Sequence, residues 1–257
     1  MYKCYLTFTF SILFIFGISA QDIIKYPQQV QKLMKAYPDK IKAYDGTYIV
    51  MDDDSRILYK ESDNRKSHID LLNSNALSDV FAYPYVKGTV VNIAKNQDAG
   101  RIRNEELLKK MYGSTSAQVQ KHLVTITWCP KLVNQKLQIT SVNGVDSQLQ
   151  KISDELDQHP ELKDYLLSAG TFNWRKVRGA DRLSAHSFGT AIDIAIKYSN
   201  YWQWDCKCNN EEVDLKYKNK IPQLIVDIFE KHGFIWGGKW YHYDTMHFEY
   251  RPELLVD

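Results

Sequence analysis

Two short stretches of this 257-residue chain bring together residue types that bind metals. Ser184-Ala-His186-Ser-Phe-Gly-Thr-Ala-Ile-Asp193 offers an imidazole and a carboxylate. Tyr243-Asp244-Thr-Met-His247-Phe-Glu249 offers a second imidazole between two carboxylates. A catalytic zinc usually takes three protein ligands and leaves a fourth position to water. His186, Asp193 and His247 supply that count. Asp244, three residues before His247, is then left over beside the activated water, where a general base is needed. Each stretch alone has a bland reading: Asp193 accepting backbone hydrogen bonds, His186 in a loop, Asp244 a cap, His247 a satisfied core histidine. The combination is what points to a metal centre.

The elements that position these residues read as short strands. Residues 190–196 form one, and alternation places Ile192, Ile194 and Ile196 on one face, with Asp193 on the other between Ala191 and Ala195. A carboxylate there is costly to bury without a partner, and a metal ion is such a partner. The run from His247 to Tyr250 is a last short strand. On it Glu249 shares a face with His247 and can orient that ligand's second nitrogen. Upstream, a short amphipathic helix is bounded by Pro27 and Pro38. Residues 48–51 and 56–59 make a hairpin around Asp52-Asp53-Asp54. The three aspartates lack the further oxygen ligands of a calcium loop and read as a solvated turn. A helix is expected over 103–120, and strands over 123–128 and 136–140. Leu149, Ile152 and Leu156 mark a helical stripe, and a further helix is opened by Pro222, carries Leu224, Ile225, Ile228 and Phe229, and is closed by Gly233. Strands and helices intermingle without regular alternation, so the class is α+β, a small antiparallel sheet with flanking helices.

The pairing of S-x-H-x-x-G-x-A-x-D with D-x-x-H-F-E resembles the VanY-like zinc D-Ala-D-Ala carboxypeptidases and L-alanyl-D-glutamate endopeptidases, whose fold is shared with hedgehog signalling domains. The resemblance covers about residues 121–257 and includes Trp236-Gly-Gly-Lys-Trp240. Asp98-Ala-Gly-Arg-Ile-Arg103 and Met111-Tyr-Gly113 resemble a subgroup with a longer N-terminal region. It implies zinc held by His186, Asp193 and His247, Asp244 as catalytic base, and peptidoglycan peptides as substrate. Many members carry S-G-Y-R well before the zinc histidine. This chain has Gly170-Thr-Phe-Asn-Trp-Arg175 instead, close ahead of His186. Arg175 is assigned to oxyanion stabilisation, with Arg182 and Arg178 as competitors; Arg182, His242 and Trp240 are expected to meet substrate. Tyr198, Tyr201, Trp202 and Trp204 either line a cleft or pack in the core. His68, His122, His159 and His232 need only surface or capping roles.

The remaining features concern location and partners. Lys3, an apolar run from Tyr5 to Ile18 and small residues at Ser19-Ala20 read as a secretory signal over 1–20, short for a membrane span, with an uncleaved N-terminal anchor as the alternative. Residues 21–120 then form a helical and hairpin extension on a catalytic domain at 121–257. Export permits a disulfide, read as Cys129 with Cys206 or Cys208, leaving one thiol. A net charge of +2 gives no case for nucleic acid, and a monomer in the periplasm or medium is expected. Two rivals stay open: a zinc-containing wall-binding module without catalysis, and an iron(II) oxygenase using two histidines and a carboxylate. Which peptide bond is cut, D-Ala-D-Ala or L-Ala-D-Glu, is not written in these residues.

Overall fold

The computed structural model describes residues 26–62, 65–73, 75–90 and 92–257; the expected signal segment, residues 1–20, lies outside the described residues. The class is α+β. Three antiparallel sheets are present among the described residues. The first holds β1 (Ile41–Tyr44), β2 (Tyr48–Met51) and β3 (Arg56–Leu58), and the second is a hairpin of β4 (Leu123–Trp128) and β5 (Gln135–Thr140). The third sheet carries the metal-binding residue types. It comprises β6 (Ser168–Gly170), β7 (Ala191–Ile194), β8 (Phe234–Trp236) and β9 (His247–Tyr250), in the order β6-β7-β9-β8.

The register of this third sheet decides the rest. In the β7–β9 pairing Asp193 lies opposite His247, Ile192 opposite Phe248 and Ala191 opposite Glu249. Partners directly opposite in an antiparallel pair project to the same face, so one face carries Asp193, His247 and Glu249 and the other is apolar. Helix α7 (Gln223–Lys231) covers the apolar face with buried Ile225, Val226, Ile228 and Phe229. The Phe229 ring stacks on Phe248 with centroids 3.9 Å apart, and Trp236 flanks Phe248 at 6.2 Å. Leu224, expected in the buried stripe, is instead 40% exposed: it starts the helix on the side turned from the sheet.

Other expectations change in detail. The strand expected over 190–196 ends at Ile194 because Ala195 takes a left-handed conformation, φ 56°, and the chain continues as a 3-10 turn over Ile196–Tyr198. Ile196 therefore leaves the apolar face and is 47% exposed. The helix expected over 103–120 is two, α3 (Glu105–Tyr112) and α4 (Ser116–Gln120), separated at Gly113 with φ 119°. Helix α1 (Gln28–Ala36) sits between Pro27 and Pro38, and helix α2 (His68–Asn73) follows the first sheet. Helix α5 (Val145–Leu156) buries Leu149, Ile152 and Leu156, and α6 (Trp202–Cys206) precedes a long loop.

The expected cysteine pairing is corrected. Cys206 and Cys208 are bonded to each other, and among the described residues Cys129 is the free thiol. Cys129 is fully buried at the end of β4, where its backbone N–H donates to the Ser153 hydroxyl. Burial, and then Asp157, push its thiol up to about 12.

One contiguous apolar core runs from Val30 in α1 to Tyr250 in β9. The N-terminal segment also reaches the C-terminus through Tyr37, whose hydroxyl donates to Glu253 at 2.5 Å. Because Phe248 is fully buried between Phe229 and Trp236 directly behind the site, Phe248→Ala should cost about 3–5 kcal/mol of stability, the usual range for such a truncation. Chemical denaturation checks this, and a loss below about 1 kcal/mol would contradict the packing described.

Candidate metal centre

His186 stands in a 3-10 turn, Ala185–Phe188, that leads into β7. The turn closes at Gly189, with φ 64°. A Cβ there would lie 2.8 Å from Leu123 Cδ2 and 3.2 Å from the Thr140 backbone nitrogen, so only glycine allows the turn to pack this tightly on the β4–β5 hairpin. A second close approach explains Trp236-Gly-Gly. A Cβ on Gly237 would come within 2.5 Å of the Asp244 carbonyl. The same segment receives the Asp244 N–H on the Gly237 carbonyl at 3.0 Å, which fixes the turn before β9.

The three sequence-assigned ligands converge. His186 Nε2 lies 3.1 Å from Asp193 Oδ1 and 3.2 Å from His247 Nδ1, and His247 Nδ1 lies 3.0 Å from Asp193 Oδ1. Three donors held at roughly 2.0–2.1 Å around a tetrahedral zinc are about 3.3 Å apart, so the triangle matches with a few tenths of an ångström to spare. The far nitrogens set the tautomers. His186 Nδ1 is 2.6 Å from the Thr171 carbonyl, and His247 Nε2 is 3.4 Å from Glu249 Oε2. Both partners only accept, so each of these nitrogens carries the hydrogen and leaves a lone pair on the nitrogen facing Asp193. With both imidazoles neutral, three lone pairs converge on one point, an arrangement suited to a cation.

The electrostatics agree. Burial raises the pKa of Asp193, but His186 and His247 outweigh it and hold the carboxyl far below the usual range. Burial lowers His247, yet Asp193 and Glu249 bring it up to about 9. The field that would hold a proton on His247 in the ion-free chain is the field that would attract a metal. Glu249 is itself fixed by Arg103, whose Nε donates at 2.7 Å and Nη2 at 2.5 Å, so His247, Glu249 and Arg103 form a relay from the ligand into segment 98–103. Such partners orient a ligand and sharpen its basicity.

Asp244 lines the same cavity, of about 380 Å³, with His186, Asp193 and His247. Its Oδ1 is buried with no hydrogen-bond partner. Burial, and then the neighbouring Asp193, push it up to about 6 against the pull of His247, His186 and Arg101. An ionisable carboxylate with a free oxygen beside the ligands is the arrangement a proton acceptor needs.

Arg175 and Arg182 line the cavity, as does Arg178. Trp240 packs against His247 with centroids 5.6 Å apart and donates Nε1 to the Ala99 carbonyl. His242 is fully buried in the cavity wall, and both ring nitrogens are engaged: Nδ1 with Asp98 Oδ2 at 2.7 Å, Nε2 with the Glu211 carbonyl at 2.9 Å. Of the aromatic run, Tyr201, Trp202 and Trp204 line the cavity, while Tyr198 packs on Tyr165.

The sequence reading missed the cluster behind His242. His68, given a surface or capping role, is buried instead, with Nε2 3.3 Å from Asp98 Oδ2 and 3.5 Å from Glu211 Oε2. Side-chain atoms of His68, Asp98, Glu211 and His242 lie within 4.8 Å of one another, a second group of metal-binding types. Here a cation is already present. Arg101 Nη1 bridges the carboxylates, 2.5 Å from Asp98 and 2.9 Å from Glu211, and Nη2 is 2.8 Å from Glu211. The group is an ion-paired clamp that joins four segments behind the cavity. Asp98-Ala-Gly-Arg was the only signal of it, and the partners at 68 and 211 are too remote in sequence to be linked to it.

Two predictions arise from these contacts. Replacing Glu249 by Gln weakens the hold on His247 and should reduce zinc affinity roughly 10–100-fold, measured by competition with a chromophoric chelator; unchanged affinity would refute the relay. Asp98 provides the second. Burial raises its pKa, but Arg101 and His242 prevail and bring it down to about 2 from an ordinary 3.8. A carboxyl depressed on folding stabilises the fold above its unfolded pKa, and that stabilisation is lost as pH falls through the folded value. About 2 kcal/mol should therefore disappear between roughly pH 4 and pH 2, and Asp98→Asn should flatten this part of the stability-against-pH curve.

Residues 178–250 match the sequence model of the D-alanyl-D-alanine carboxypeptidase family, a stretch that contains His186, Asp193, Asp244 and His247. No curated protein and no solved structure matches the chain significantly. The family match supports a peptidase, and it falls on the segment from which all three converging candidate ligands and the free carboxylate come.

Proposed function

We propose that this protein is a zinc peptidase that hydrolyses peptide bonds in peptidoglycan stem peptides, as a D-Ala-D-Ala carboxypeptidase or an L-Ala-D-Glu endopeptidase. The observation that carries the reading is the triangle of His186 Nε2, Asp193 Oδ1 and His247 Nδ1, within 3.0–3.2 Å of one another, beside the unpaired Oδ1 of Asp244. The family match over 178–250 supports the choice of cell-wall peptides as substrate.

A zinc ion held by these three residues would act as a Lewis acid and lower the pKa of water towards about 7. Asp244 takes the proton from the attacking water at its free carboxylate oxygen and passes it to the leaving amine. His186 and His247 are kept from rotating by Thr171 and Glu249, so the geometry is set before substrate arrives. Arg175 is the proposed oxyanion partner, with Arg182 and Arg178 in the same wall. Trp240 and His242 close the floor of the cavity near the ligands.

The reading includes export. Residues 1–20 have the composition of a secretory signal, and the Cys206–Cys208 disulfide suits an oxidising compartment. Among the described residues no helix is long and apolar enough to cross a membrane. A non-catalytic wall-binding module would have no use for an unpaired carboxylate in the cavity, and neither would an iron oxygenase.

The test is a digestion of purified stem peptides followed by mass spectrometry, which identifies the bond from the product masses. Chelation should abolish cleavage and zinc should restore it. Asp244→Asn should bind one zinc per chain yet lose roughly 10²–10⁴-fold in kcat, the span expected for a general base. Retention of normal turnover by that variant would overturn the assignment.

A further inference from the structure

Helix α6 is anchored on both sides of Trp204. Trp202 is buried, with its N–H on the Tyr243 carbonyl at 2.9 Å and its ring edge-on to His242 with centroids 4.8 Å apart. Asp205 accepts the Tyr243 hydroxyl at 2.7 Å, and the Cys206–Cys208 disulfide joins the end of the helix to the loop beyond it. Trp204 itself is 49% exposed, its ring edge-on to Tyr201 with centroids 5.5 Å apart. An indole carries a large apolar area, and the anchors on either side hold that area out of the core.

Trp204 stands between two cavities. It lines the metal cavity and a second one of about 520 Å³, together with Arg178, Gly179, Gln203, Lys207, Cys208 and Asn209. That volume lies within the range of small-ligand pockets, about 300–1,000 Å³. The exposed indole offers a flat apolar surface of the kind that the C–H face of a pyranose ring covers. The side-chain amides of Gln203 and Asn209 make no hydrogen bond among the described residues. Each amide both donates and accepts, as sugar hydroxyls and acetamido groups require. No carboxylate lines this cavity, while Arg178 and Lys207 bring positive charge. Arg178, like Arg175 and Arg182 in the outer wall of the metal cavity, pairs with no carboxylate among the described residues. On the inner wall, by contrast, Arg101 and Arg103 are neutralised by Asp98, Glu211 and Glu249. A cationic ligand is therefore disfavoured in the second cavity.

Resting on the peptidase reading, we propose that Trp204, Gln203 and Asn209 form a saccharide subsite for an N-acetylated amino sugar, so that the peptide cleaved is one still linked to glycan. Trp204 is the wall the two cavities share, so a sugar ring against it lies next to a peptide that reaches the metal centre. The charge of the lining selects acetylated sugars over deacetylated ones, whose ammonium group would meet Arg178 and Lys207.

The experiment uses the zinc-loaded full chain and one stem peptide in two forms, bare and carrying an acetylated disaccharide at its N-terminus. The linked form should have a kcat/KM roughly 10-fold higher, mainly through KM, the worth of one stacking contact of about 1.4 kcal/mol. In Trp204→Ala that ratio should fall to about twofold, and Trp204→Tyr, which keeps a flat ring, should restore most of it. Asn209→Ala, on the exposed loop, should lower the ratio less, and it keeps the test decisive should Trp204→Ala unfold. Equal use of the two forms, or a ratio that survives in both alanine variants, would overturn the proposal. Calorimetric titration of zinc-free protein with an N-acetylglucosamine tetrasaccharide, which contains no peptide, reads the subsite without turnover. Binding there that is lost in Trp204→Ala upholds the subsite even if no peptide is cleaved, an outcome that would sink the peptidase reading alone. Absence of both cleavage and binding would sink the two together. The deacetylated tetrasaccharide should bind at least about 10-fold more weakly, and equal binding would refute the charge complementarity on which the assignment rests.

Discussion

The antiparallel register that sets Asp193 opposite His247 is the constraint on which the site depends. It places two candidate ligand atoms 3.0 Å apart on the same face of one sheet, with Phe248 and Ile192 side by side on the opposite face. The third candidate ligand, His186, arrives from the turn that feeds β7, so all three side chains hang from a single strand pair and its immediate lead-in. A register slip of one residue would turn the carboxylate into the core and an isoleucine into the cavity. The apolar stack of Phe229, Phe248 and Trp236 makes that slip costly, which is how packing energy on one face secures coordination geometry on the other.

Around this pair the N-terminal segment acts as a brace. Arg103 fixes Glu249, which fixes His247, and Arg101 locks Asp98 and Glu211 behind His242. These buried charges offset one another locally, and removing any one would leave its partners uncompensated in a poorly solvated place. The outcome is a cavity whose inner wall is electrically satisfied while its outer arginines and Asp244 are not. Those unsatisfied groups are where an ion, water and substrate are expected to act.

Much of the centre was legible because its residues are chemically scarce and close in sequence. His186 and Asp193 share one turn and strand, Asp244 and His247 share another, and metal coordination demands that few residue types appear in such pairs. Local signals also gave the hairpins, the helix after Pro222 and the glycine that ends it, since turn chemistry and periodicity act over a few residues. The errors came where a tertiary contact decided a local outcome. Ala195 has no intrinsic reason to turn left-handed, but its N–H meets the Leu167 carbonyl, and the strand ends there. Cys129 was a plausible disulfide partner until the core enclosed it at the end of β4.

By itself the sequence determined the candidate ligand set, the candidate base and the α+β class, because each rests on residue type and spacing along a short piece of chain. Only the tertiary structure decided which arginines are free. Arg101, Arg103, Arg175, Arg178 and Arg182 look alike as letters, and what separates them is whether Asp98, Glu211 and Glu249, remote in sequence, fold up against them. Charge pairing is a property of distance in space, and no local pattern encodes which carboxylate a given guanidinium will meet.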